Sequence, residues 1–294
     1  MLTAYVNAPA HLSKAMLRVA AALHRHAPAG VQVVDREADA DLVVLHVIGM
    51  EGLPEAIAKL KGRRYAIVQY CLASTRNTVA DWVPIWDGAD LVWSYYDLRK
   101  ALVDVEGSDA SCFLYLAPLG VDPAFNLDTI NAVKKSYGVV TSGYVAGEQE
   151  AIDFCYDAAV IAGKRVFHLG PMPVGLATPS PAHWTSAHEI TDAELANAYA
   201  SAEHVSGLRW TEGFELPVIE GASCGARPIC FDLPVYRRWF DGIATFVPHD
   251  RLTLGTALVD ALRDPWPMTS VDAGAVRRAF AWAPIVRGFW ERLV

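Results

Sequence analysis

Long apolar runs are missing from this sequence. Its most hydrophobic stretches, such as DLVVLHVIG at 41–49, stop well short of the ~20 residues a helix needs to cross a bilayer. The N-terminus also lacks the basic start and apolar middle of a secretory leader. The expectation is a soluble, cytoplasmic protein with no stable membrane insertion. Cysteine is scarce too. Five residues, an odd number with no C-x-x-C pair, supply neither a disulfide framework nor a zinc site, and fit a reducing compartment as small core side chains. His183 and His188 are five residues apart, not the i, i+4 pair that would put two metal ligands on one helical face. Cations are the third shortage. Lys and Arg number 25 against 33 Asp and Glu, a net charge of −8, which disfavours a broad nucleic-acid surface because such surfaces neutralise many phosphates. The clearest basic patch, KLKGRR at 59–64, reads as a solvated helix end whose charges complement the helix dipole.

Apolar residues are abundant in short pieces. With 53% hydrophobic and 20% charged residues over 294 positions, the chain can bury two ordinary cores. β-branched runs alternate with helical patterns, which predicts parallel sheets covered by helices, an α/β fold. The first domain is expected over 1–126, with strands LTAYV, VQVV, DLVVLHVI, YAIVQY, ADLVWSY and CFLYLAPLG and a helix at KAMLRVAAALHRH. The polar segment NLDTINAVKKSY at 126–137 reads as a linker. A second α/β domain is expected over 138–269, with strands GVVTSGY, KRVFHLG, HVSGL and RPICFD and helices around EQEAIDFCYDAAVIAG, TDAELANAYASA and LPVIEGASC. Residues 270–294 read as a helical tail, interrupted at Pro284 and rich in aromatics that need burying. Trp82, Trp86, Trp93, Tyr95 and Tyr96 form a dense aromatic cluster. Beside a cleft such rings stack on sugars or bases, but the alternation in LVWSYY favours a core.

One stretch concentrates the candidate chemistry: TEGFELPVIEGASCGARPICFD at 211–232. Glu212 and Glu220 flank a Gly-Phe-Glu-Leu-Pro turn between a predicted strand and a predicted helix. Pro217 suits the first helical position, where a missing N–H costs nothing, and Glu220 then falls in the first turn. Open α/β sheets bind ligands at the carboxyl ends of their strands. A helix N-terminus there offers unpaired N–H groups and a positive dipole end that suit a phosphate, and Gly213 lets the backbone come close. On spacing alone, two glutamates around a turn are also ordinary punctuation.

The same stretch resembles the signature of nucleotide-sugar glycosyltransferases of the GT-B fold, in particular the large retaining family with a C-terminal Glu-x7-Glu motif, whose spacing Glu212 and Glu220 match. ITDAELANAYASAEHV resembles the helix and strand before that motif. YLAPLGVDPAFN resembles the phrase that closes the family's N-terminal domain, and FAWAPIVRGFWERL is similar to its C-terminal helix. The resemblance implies two Rossmann-like domains facing a central cleft, with the C-terminal helix crossing back to the N-terminal, acceptor-binding domain. It implies that Glu220 holds the donor's ribose hydroxyls and that Glu212 meets the sugar near the reacting carbon. The backbone of Gly213, Phe214, Glu215 and Leu216 would surround the phosphates, and Gly143 would lie in the donor loop. The implied reaction moves a hexose from a nucleoside-diphosphate sugar, UDP-glucose by default, to an acceptor hydroxyl. Retention is the expected outcome, with neither metal nor cofactor.

Departures from the family pattern matter as much. The family's Arg and Lys, which neutralise the diphosphate, are replaced by Tyr144 and Gln149, and its commoner Gly by Glu215. Arg209, closing the strand HVSGL, is the candidate replacement cation, against the alternative that it pairs with a surface carboxylate such as Glu203. Lys164 and Arg165 are weaker rivals at the far end of the sheet. His11, in VNAPAHLS, stands where inverting enzymes of this fold place a general base; the alternative is a loop histidine that lines the cleft or caps a helix. His46, near the end of the third strand, is a weaker cleft candidate and reads rather as a satisfied core residue. The acceptor is open between a hydroxymethylated DNA base, as used by compact phage enzymes of this type, and an envelope glycan, lipid or protein, and the acidic balance argues against DNA. The missing cations also admit a second class, a degenerate non-catalytic module that holds a nucleotide or sugar.

Overall fold

The computed structural model describes residues 1–8, 14–72, 78–103, 113–126, 133–147, 149–211 and 213–294. The chain divides into two compact units, Met1–Gly120 with Ala281–Val294, and Val121–Phe280. In the first unit the strands are β1 (Leu2–Val6), β2 (Val31–Val33), β3 (Leu42–Val47), β4 (Arg64–Gln69), β5 (Leu91–Ser94) and β6 (Phe113–Leu116). The helices between them are α1 (Lys14–Arg25), α2 (Leu53–Lys59), α3 (Val79–Asp87) and α4 (Leu98–Val103). The strands form one sheet in the order β2-β1-β3-β4-β5-β6, every pair parallel. Strand β3 is buried along nearly its whole length, which is why its sequence is a continuous apolar run rather than an alternation: helices cover both faces of a parallel sheet.

The aromatic cluster is core. Trp82, Trp86 and Trp93 are fully buried, and each indole N–H has an acceptor: Leu72 O at 2.8 Å, Gln69 Oε1 at 3.3 Å and Ala117 O at 3.1 Å, respectively. Burying large rings this way contributes apolar area without leaving a donor unpaired.

The second unit repeats the architecture with β7 (Tyr137–Ser142), β8 (Val166–Leu169), β9 (Trp184–Ala187), β10 (Ala202–Gly207), β11 (Arg227–Phe231) and β12 (Thr245–Val247). Its helices are α5 (Ile152–Ile161), α6 (Asp192–Ala200), α7 (Leu216–Ser223), α8 (Pro234–Phe240), α9 (Arg251–Arg263) and α10 (Ser270–Ala279). The sheet order is β12-β11-β10-β7-β8-β9, again all parallel. The two edge strands β9 and β12, and the helices α8 and α9, have no counterpart in the sequence reading. The polar segment before β7 is anchored rather than loose where it is described: Lys135 Nζ donates to the carbonyls of Ala200, Ala202 and Gly225 at 2.9, 2.8 and 2.9 Å.

The chain then returns to the first unit through α11 (Trp282–Trp290). Pro284 does not interrupt this helix. It lies in the first turn, where backbone N–H groups have no intrahelical partner to lose. The aromatics of α11 are buried: Trp290 Nε1 donates to Leu23 O at 3.2 Å, and Tyr115 Oη of β6 donates to Ile285 O at 2.8 Å. Among the described residues no helix is long and apolar enough to cross a membrane.

Candidate functional site

In the second sheet β7 neighbours β8 on one side and β10 on the other, so the strand order reverses between β7 and β10. In open parallel sheets ligands usually bind at the strands' carboxyl ends beside such a reversal. The loops after β7 and β10 meet there. Trp210 N donates to Gln149 O at 3.0 Å, Ala151 N donates to Leu208 O at 3.0 Å, and Glu150 and Arg209 form an isolated antiparallel bridge.

A charged cluster is built on this junction. Arg209 Nε lies 3.0 Å from Glu215 Oε2, and its Nη2 lies 3.8 Å from Glu150 Oε1. Both glutamates are 5% exposed. Tyr236 Oη of α8 donates to Glu215 Oε1 at 3.0 Å, and Val145 N donates to Glu150 Oε2 at 3.1 Å. The sequence reading set Glu203 as the alternative partner of Arg209, but Glu203 is bound by Lys164 Nζ at 2.7 Å. Arg165 is engaged as well, donating to Thr185 Oγ1 at 2.8 Å.

Gly143, at the end of β7, has φ +136°, and a Cβ on it would fall 2.5 Å from Glu150 Cδ. Only glycine both adopts this backbone and leaves room for the buried carboxylate. Gly213 is constrained differently, since a Cβ there would meet Val235 Cγ1 of α8 at 2.2 Å. Phe214 and Leu216 are buried. The Phe214 ring packs on Phe240 and Phe280 with centroids 5.4 and 6.1 Å away. The side chains of Phe214 and Leu216 are therefore core.

Helix α7 begins at Leu216, with Pro217 inside its first turn, so Glu220 falls in the second turn rather than the first. Glu220 is 4% exposed, and its charge joins burial in pushing the Cys224 thiol up to about 12. Tyr144 and Gln149, the positions where a cation pair was looked for, carry exposed neutral side chains, with Tyr144 66% exposed. Glu212 and His11 lie outside the described residues. His46 is satisfied at one ring nitrogen only: Nδ1 lies 2.7 Å from Tyr70 Oη, while Nε2 is buried without a partner among the described residues, and burial lowers the pKa to about 4.

Three further side chains near this junction were not singled out in the sequence. His168 of β8 has Nε2 3.1 Å from Pro171 O and Nδ1 3.0 Å from Thr141 Oγ1. A carbonyl requires a donor, so Nε2 carries the proton and Nδ1 accepts from the hydroxyl. Burial lowers this pKa to about 4 as well. Trp210 and Arg251 are the others: the Arg251 guanidinium carbon sits 4.5 Å from the centroid of the Trp210 ring. The only sequence signal for Arg251 was the Pro-His-Asp phrase before it, where Asp250 caps α9.

No protein-family model matches the chain, and no curated protein matches it. Solved structures do. Sucrose-phosphate synthase from Thermosynechococcus elongatus superposes with a TM-score of 0.72 at 14% identity, over 98% of this chain and 97% of its own. Anabaena HepE, solved in complex with UDP and glucose, gives 0.71 at 12% identity over 100% and 99% of the two chains. AviGT4, a glycosyltransferase involved in avilamycin A biosynthesis, gives 0.64 at 18% identity over 99% and 96%. These likenesses carry the fold: the chain has the GT-B architecture, α/β with two parallel six-stranded sheets and flanking helices.

Proposed function

We propose that the chain is a glycosyltransferase that moves a hexose from a nucleoside-diphosphate sugar, with UDP-glucose the first donor to test, to an acceptor hydroxyl with retention. The observation that carries this reading is the position of Glu220, buried in the helix that follows the switch-point strand β10, in a fold that in HepE is solved with UDP and glucose. Glu220 takes the ribose hydroxyls and Glu212 the sugar hydroxyls. The backbone of residues 213–216 and the start of α7 face the diphosphate, and Gly143 keeps the β7 loop low beside it. Backbone dipoles already aimed at developing charge stabilise the leaving group without reorganisation.

In the reaction the bond from the anomeric carbon to the diphosphate oxygen breaks, and a bond from that carbon to the acceptor oxygen forms. The electron pair leaves with the diphosphate, which on the same face takes the acceptor's proton. An inverting course would instead give that proton to a base, and His11 is the candidate. Hydroxymethylated DNA bases, envelope glycans, lipids and proteins are the acceptor classes to assay.

One observation favours a second reading, a non-catalytic nucleotide- or sugar-binding module. Tyr144 and Gln149 are neutral, and Arg209 enters the site with its charge shared between Glu150 and Glu215. Incubation with a panel of nucleotide sugars separates the two. Release of free nucleoside diphosphate, with the product anomer read by NMR coupling, supports transfer; binding without release across all donors supports the module.

A further inference from the structure

A bound diphosphate carries at least two negative charges, whereas a helix N-terminus offers only about half a unit of positive charge, so the proposed donor needs a cation. Most cations of the second unit are committed elsewhere. Arg209 is held by two carboxylates, Lys164 by Glu203, and Arg237 by Asp232 at 2.7 Å. Arg227 is buried at the opposite end of the sheet, and Lys135 is bound to three carbonyls.

Arg251 differs. It is exposed, and among the described residues its contacts are neutral: it lies over the Trp210 ring and donates through Nη2 to the carbonyl of Gly147. Gly147 lies between Tyr144 and Gln149, in the loop that lacks its expected cations. Trp210 stands directly after Arg209 and just before Glu212. Its ring is wedged among Phe231, His249 and Phe154, with centroids 4.6, 5.2 and 6.3 Å away. The start of α9 is fixed in turn, because Asp250 accepts from Leu252 N at 3.3 Å and from Thr253 Oγ1 at 2.9 Å. A guanidinium is thus delivered from α9 to the rim where the β7 and β10 loops meet, braced by an aromatic face that leaves its in-plane N–H groups for oxygen acceptors.

We propose that Arg251 binds the diphosphate of the donor, supplying from α9 the charge that the β7 loop lacks. This rests on the glycosyltransferase reading of the same site. Calorimetry with UDP, GDP and ADP, each beside its bare nucleoside, tests it on wild type, Arg251→Met and Arg251→Lys. Methionine keeps contact with Trp210 and removes the charge. A hydrogen bond to a charged group is worth roughly 1.5–3 kcal/mol, so R251M should bind the diphosphate about 10- to 150-fold more weakly and the nucleoside unchanged. R251K should lose less. Unchanged diphosphate affinity in R251M, or an equal loss for nucleoside and diphosphate, overturns the assignment and leaves the glycosyltransferase reading standing. A wild type that binds none of the three diphosphates removes that reading, and the role of Arg251 with it.

Discussion

The two sheets have the same number of strands, all parallel, but they differ in strand order and in what they bury. Among the described residues, the buried polar side chains of the first unit are Gln69 and Ser94, both neutral, within a core dominated by Trp82, Trp86 and Trp93. In the second unit they include Glu150, Glu215, Glu220 and Arg227, along with His168 and His204. The first unit shows that a six-stranded sheet of this kind needs no buried charge to fold. Withdrawing an ion from water still costs several kcal/mol after relaxation. The carboxylates of the second unit therefore call for an explanation outside folding, and all three lie on elements that follow β7 and β10 at their carboxyl ends. Arg227 is the exception. It sits at the start of β11, donates to Ile243 O at 2.8 Å and stacks 3.7 Å from the centroid of the Trp266 ring, as a structural brace would.

The largest effect expected from this contrast is on stability. Arg209→Met leaves Glu150 and Glu215 buried without their cation and should cost about 3–5 kcal/mol. Gln69→Leu, which removes a neutral acceptor from Trp86 Nε1 in the first unit, should cost about 1–2 kcal/mol. Urea denaturation of the two variants measures the gap, and equal losses would erase the distinction between the units.

Function should follow the same division. Glu220→Ala is expected to weaken nucleoside diphosphate binding by about 1.5–3 kcal/mol, the value of a hydrogen bond to a charged group, as measured by calorimetry. If the affinity is unaltered, the buried carboxylate of α7 has no part in holding the donor.

Acid sensitivity sharpens the comparison further. Burial holds His168 and His204 of the second unit, and His46 of the first, neutral with pKa values lowered to about 4. Their unfolded value is ~6.5, so the unfolded chain takes up protons that the native state refuses. The contribution to stability is complete above that value and is lost as pH falls toward 4. Between pH 7 and pH 5 each histidine should remove about 2 kcal/mol, with twice the loss in the second unit. Unfolding curves at the two pH values, repeated on His204→Leu, report this; a variant as acid-labile as wild type would contradict it.

Much of the architecture was legible because the strands β1, β3, β4, β5 and β7 are compact runs rich in β-branched or aromatic residues and bounded by helical patterns. The edge strands β9 and β12 were not. WTSA and TFV are too short to show a period, and only pairing with a neighbour makes them strands. For the site, Gly213 and Pro217 mark the strand-to-helix junction in the sequence itself. The Arg209 cluster was invisible there because Glu150 comes from the β7 loop, distant along the chain, and Glu215 looked like a surplus negative charge. Arg251 was hidden for the same reason, since its contact with the β7 loop exists only after α9 packs on α5.

The central claim is that the junction of β7 and β10 receives a nucleotide sugar. A crystal structure of the chain soaked with UDP-glucose tests it most directly. The account predicts ribose hydroxyls on Glu220, diphosphate oxygens against the backbone of residues 213–216, and the Arg251 guanidinium turned onto the phosphates. Donor bound elsewhere on the chain, or lying at this junction with its ribose away from Glu220, would contradict it.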